Sequence, residues 1–115
     1  LLSCTVRYVR AETVNPAPLL SYCRDNQAMA GVAIDAYVRR GNDGEPTQRA
    51  VEQFRQAIEA ALGLKGTFYL PYHRFATVDH FKQGYPDWKE WRDVVKQYNP
   101  SRRFHNAFLD HLGLF

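Results

Sequence analysis

An antiparallel sheet with helices packed on one face, an α+β domain, is what this sequence predicts, and three observations predict it. Two segments near the start alternate apolar and polar residues with a period of two, the mark of half-buried strands. One segment in the middle repeats apolar residues at helical spacing. The strands come mostly first and the helices mostly last, which favours a segregated fold over alternating strand–helix units.

The first strand is LLSCTVRYVR, where Leu2, Cys4, Val6 and Tyr8 alternate with Ser3, Thr5 and Arg7. ETVNPAP follows as a loop, because an Asn-Pro pair and a second proline break regular structure. LLSYCRD has room for one or two helical turns. AGVAIDAYVRR alternates again, with Val32, Ile34, Ala36 and Val38 on one side and Asp35, Tyr37 and Arg39 on the other. The turn-rich GNDGEP leads into TQRAVEQFRQAIEAALG, whose Ala50, Val51, Phe54, Ala57, Ile58, Ala61 and Leu62 share one helical face, with Gly63 placed as the C-terminal cap. Phe54, Ile58 and Leu62 are expected to pack on a sheet face made by Val6, Val32 and Ile34.

GTFYLPY reads as a third strand stopped by Pro71. Thr77 is placed to cap a short helix, TVDHFKQ, closed by Gly84. DWKEWRDVVKQY is a second strong helix with Trp88, Trp91, Val94, Val95 and Tyr98 on one face, ended by Asn99-Pro100. The tail SRRFHNAFLDHLGLF is a turn and a short helix, with Arg102 and Arg103 in the solvated turn.

At 115 residues this is one domain, residues 1–115, and a net charge of +3 is too small to argue for a nucleic-acid partner. No apolar run approaches the roughly 20 residues that cross a bilayer. The two cysteines, Cys4 and Cys23, make no disulfide framework and are expected to be reduced and buried, which points to a cytoplasmic setting. A chain that starts at Leu1, inside a strand pattern and without a signal peptide, is expected to be part of a longer protein. The sequence contains no glycine-rich phosphate loop, no nucleophile elbow and no CxxC pair. His73, His80, His105 and His111 have no metal-ligand spacing, so no metal site is expected. An aromatic and basic platform for RNA around Phe68, Tyr69, Tyr72, His73 and Arg74 lacks the ribonucleoprotein consensus.

The residues that carry most information are YPDWKEWRDVVKQYNPSRRFHNAFL: Tyr85-Pro86, an aromatic helix, Asn99-Pro100, Arg103-Phe104, Asn106 and Phe108-Leu109. This pattern resembles the C-terminal end of the FAD-linked oxidases of the vanillyl-alcohol oxidase superfamily. The nearest branch is that of the aldonolactone, alditol and decaprenylphosphoryl-ribose oxidases. Those proteins end in YPxxxxFxxxRxxxDPxxxFxNxYL; here Asn99 stands in place of Asp, and Phe108 in place of Tyr. The likeness is specific over residues 66–109 and weaker upstream.

The resemblance implies a ferredoxin-like cap domain whose sheet covers the flavin ring, with the FAD-binding domain lying outside this chain. It implies a full-length FAD-dependent oxidoreductase that oxidises a sugar-like alcohol or lactone by hydride transfer to flavin. Counting back from Tyr85-Pro86, the HWxK segment common in aldonolactone oxidases would put its His on Tyr69 and its Lys on Tyr72. Both charged groups are therefore missing here, and His73 and Arg74 are the nearest replacements. Tyr72 and His73 are the implied catalytic residues, since alcohol oxidation needs a base for the hydroxyl proton and an imidazole titrates near neutrality. Tyr69 and Arg74 are the implied substrate contacts, Arg74 for a carboxylate or phosphate. Asn106 is the implied flavin contact. The fragment alone is expected to hold no FAD tightly, for want of a glycine-rich turn to receive a pyrophosphate. The alternative is a free-standing α+β module that binds a small ligand, RNA or a protein without catalysis.

Overall fold

The structure of the chain is a computed structural model that describes residues 2–11, 13, 17–23, 27–70 and 74–114. The two period-two segments pair as expected. Strand β1 (Ser3–Val9) runs antiparallel to β2 (Met29–Asp35), with Cys4 opposite Ile34, Val6 opposite Val32 and Tyr8 opposite Ala30. Opposed residues of an antiparallel pair point to the same side. Cys4, Val6, Tyr8, Ala30, Val32 and Ile34 therefore make one apolar face, and the side bearing Ser3, Thr5, Arg7 and Asp35 is the polar one. Four helices follow: α1 (Gln48–Gly63), α2 (Val78–Gly84), α3 (Trp88–Tyr98) and α4 (Ala107–Leu112). The fold is α+β, as the sequence predicts.

Two features depart from expectation. β2 ends at Asp35, so the alternation through Val38 does not extend the strand. The stretch expected as a third strand has no regular structure over residues 66–69 and joins no ladder there, and Pro71 and Tyr72 lie outside the described residues. A side chain takes the place of a neighbouring strand there: the Tyr85 hydroxyl donates to the Phe68 carbonyl.

The helix boundaries follow local chemistry. Thr47 caps α1, its side chain accepting from Ala50 N. The helix runs through Gly63, and the cap falls one residue later, on Leu64. Lys65 then takes the left-handed turn at φ 58°, with Gly66 N donating to the Ala61 carbonyl and Lys65 N to that of Leu62. This is a Schellman ending without its usual glycine. Thr77 caps α2 in a reciprocal box: its hydroxyl accepts from His80 N, and His80 Nδ1 accepts from Thr77 N. His80 Nε2 also lies 3.5 Å from Glu59 on α1. His80 is thereby accounted for as a structural group. Gly84 ends α2 where a side chain would meet Leu62, Phe68 and Thr67 at 3.2 Å, so the ends of α1 and α2 approach over a bare backbone.

The core differs in place from the one expected. Phe81, Tyr85 and Leu112 are buried, surrounded by Phe68, Leu70, Trp88, Trp91, Phe108 and Leu114. The Phe81 ring lies 5.4 Å from Tyr85, 5.6 Å from Trp91 and 5.7 Å from Phe108. Trp88 and Trp91 pack partly buried against the core; Val94 and Tyr98 on the same helix are exposed. On α1 the buried residues are Ala50 and Leu62, while the Phe54 ring meets Phe75 at 5.1 Å. The expected packing of Phe54, Ile58 and Leu62 on Val6, Val32 and Ile34 does not form. Val6 keeps 66% of its surface exposed, Val32 55% and Ile34 57%. Cys4, on the same face, is exposed rather than buried, whereas Cys23 is buried and donates to the Arg10 carbonyl.

The hairpin's main contacts are internal, and the most extensive packing between helices is that of α1 on α2. Two global quantities follow from that. The radius of gyration is 15.7 Å, where a compact chain of this length gives about 13 Å. The accessible surface is 8768 Å², where about 6,400 Å² is usual for a monomer of 13.3 kDa. Among the described residues no helix is long and apolar enough to cross a membrane.

Candidate functional site

The segment singled out by the sequence is built on the buried Tyr85. Its ring stands edge-on to Phe68 with centroids 5.8 Å apart, and its hydroxyl binds the Phe68 carbonyl. Phe68 and Leu70 pack against the core, while Tyr69 between them is 52% exposed. Of the polar-tipped edge that the alternation predicts, Tyr69 is exposed, and Tyr72 and His73 lie outside the described residues.

Tyr69 meets Tyr22, with ring centroids 6.0 Å apart and planes tilted by 32°. Nothing in the sequence around Tyr22 singles it out, because the pairing depends on the long loop folding back. Burial raises the Tyr22 pKa, and the nearby Tyr69 adds to the rise. The Tyr85 phenol is pushed far above the usual tyrosine range. Burial is the main cause; the Thr67 hydroxyl opposes it and Tyr22 adds to it. Thr67 Oγ1 is itself buried without a well-formed hydrogen bond, so its opposing effect is the weaker.

Tyr85 therefore makes stability depend on alkaline pH. An unfolded tyrosine loses its proton near pH 10, while the folded one keeps it. The contribution of Tyr85 is complete below about pH 10 and is lost above it, by roughly 1.4 kcal/mol per pH unit. Denaturant melts at about pH 9 and about pH 11 should show a steeper alkaline loss for the parent than for Tyr85→Phe. Equal losses in the two proteins would refute the buried, protonated phenol.

Arg74 is exposed, in the turn that leads to Thr77. Tyr72 and His73, the implied catalytic residues, lie outside the described residues. Asn106 has a structural duty: its Oδ1 accepts from Phe108 N and Leu109 N and so caps α4. Only its Nδ2 remains to meet a ligand. α4 in turn is docked by its last turn to the chain just past Arg74, through His111 Nε2 at 2.7 Å from the Ala76 carbonyl. Tyr22 and Tyr69 thus form a pair of partly exposed rings, and Arg74 is an exposed cation in the turn before Thr77.

The N-termini of α1, α2 and α4 are filled by their own Thr47, Thr77 and Asn106 side chains, and α3 starts at Asp87, a carboxylate that would repel a pyrophosphate. Among the described residues no group of three or more His, Cys, Asp and Glu side chains is placed to hold a metal ion.

Compared with protein-family models, curated proteins and solved structures, the chain finds no match.

Proposed function

We propose that this chain is the C-terminal substrate-cap portion of an FAD-dependent oxidoreductase that oxidises a sugar-like alcohol or lactone. The sequence pattern of residues 66–109 suggests it, and one structural observation supports it: the apolar face of the hairpin is uncovered. A two-stranded sheet is marginal alone in water, and an exposed apolar face of this kind marks an interaction surface. The surface excess, about 2,400 Å² over a compact monomer, is ample for a domain interface of standard size. Docking against a flavin-binding domain would cover the hairpin and leave the Tyr69 edge toward the ring.

Bound FAD would supply the acceptor for a hydride. His73 would take the proton of the substrate hydroxyl, with Tyr72 orienting that hydroxyl. Arg74 would hold a carboxylate or phosphate of the substrate, and Tyr69 would wall the pocket. Asn106 would contribute at most its amide N–H, since its oxygen caps α4.

In the complete protein, Tyr72→Phe and His73→Ala should each slow substrate-driven flavin reduction, on the order of 100-fold for loss of the base, while leaving FAD content unchanged. Stopped-flow rates equal to the parent in both variants would place the catalytic base elsewhere.

A further inference from the structure

The loop joining α3 to α4 carries chemistry that the cap proposal does not use. Asn99 locks this loop: its Oδ1 accepts from Phe104 N at 3.1 Å, its Nδ2 donates to the Phe104 carbonyl, and its backbone carbonyl accepts from Arg102 N at 3.1 Å. Within the locked loop Arg102 stands at φ 53°, a left-handed conformation that a residue with a side chain adopts at a cost. Beside it is a groove of about 350 Å³. Val95 and Leu109 give it apolar walls from α3 and α4, while Lys96, Arg102, His105 and Phe104 line the rest.

The charges in this groove are unbalanced. Lys96 and Arg102 bring two basic side chains, and among the described residues the carboxylate that meets the arginine is Asp110. Asp110 is shared, at 3.3 Å from His105 Nδ1 and 3.9 Å from the Arg102 guanidinium, so the arginine keeps most of its donors available. Lys96 pairs with no carboxylate among the described residues. Phe104 holds 79% of its surface open to water at the rim. The volume is at the small end of ligand pockets, and apolar walls with a few convergent polar groups are the usual make-up of such sites.

We infer that this groove binds a small organic anion, a carboxylate or phosphate ester with a planar apolar body. The anionic group meets Arg102 and Lys96. The body lies on Phe104 and against Val95 and Leu109. The planar guanidinium fork of Arg102 matches the two oxygens of either anion. The site is separate from the Tyr69 edge and does not depend on the cap proposal.

Phenyl phosphate serves as the probe, titrated into the chain while backbone amide signals are followed by NMR. Saturable shifts are expected at Lys96, Arg102, Phe104 and His105. Benzyl alcohol and inorganic phosphate should each bind more weakly, since each lacks one half of the recognition. Arg102→Gln should weaken phenyl phosphate by on the order of tenfold or more, the loss of one charge-assisted hydrogen bond. Arg102→Gly, which relaxes the backbone and keeps the loop folded, should lose affinity equally. Phe104→Ala should bring the affinity down toward that of inorganic phosphate. The proposal is overturned by shifts that do not saturate, by shifts scattered over the surface, or by undiminished binding in Arg102→Gly.

Discussion

Phe81→Ala is expected to destabilise the chain by about 3–5 kcal/mol, the range for emptying a fully enclosed aromatic site. Phe81 has no exposed surface and touches the rings of Tyr85, Trp91 and Phe108, which belong to three different parts of the chain. Those rings cannot all close on the void, because Tyr85 is tied to Phe68 through its hydroxyl and Phe108 to α4. Urea melts should show the full loss, with a matching drop in the near-ultraviolet circular dichroism of the aromatic cluster. Phe54→Ala, by contrast, should cost clearly less, because Phe54 is only half-buried beside Phe75. A loss below about 1 kcal/mol for Phe81→Ala would mean that the aromatic cluster is not the core.

Leu112→Ala is expected to cost about 2–5 kcal/mol and to release α4. At six residues this helix is far too short to persist on its own. It is held by four attachments: Leu112 in the core, Phe108 beside Phe81, the Asn106 cap, and His111 on the Ala76 carbonyl. Leu112 is the only one of these that is itself a fully buried side chain. Amide hydrogens of residues 109–113 should then exchange faster than those of α1 in the same variant. Uniform acceleration across both helices would show instead that α4 and α1 open as one unit.

The four helices were legible from sequence because their signals are local. Thr47 and Thr77 cap where expected, and α1, α2 and α3 begin and end within about a residue of the segments read from the sequence. β1 and β2 were legible for the same reason, and the alternation in Phe68, Tyr69 and Leu70 correctly set which side chains face inward. What the pattern could not show was the partner of each apolar face. A period of two says that Val6, Val32 and Ile34 share a side; it does not say that α1 covers them, and α1 packs on α2 instead. The third strand failed on the same ground, since an alternating pattern is local and a ladder partner is not. Tyr22 beside Tyr69, and Asn106 spent on a helix cap, are likewise long-range or conformational facts with no mark in the local sequence.

The assignment as a flavin-enzyme cap is tested most directly by the visible absorbance of bound flavin, measured on the complete protein and on the 115-residue chain purified alone. Among the described residues the helix N-termini are filled by their own side chains or acidic, and a flavin-binding domain would be the holder of the pyrophosphate. The expected result is a yellow complete protein with stoichiometric FAD and a colourless isolated chain. A complete protein that carries no flavin, or an isolated chain that carries it stoichiometrically, would contradict the assignment.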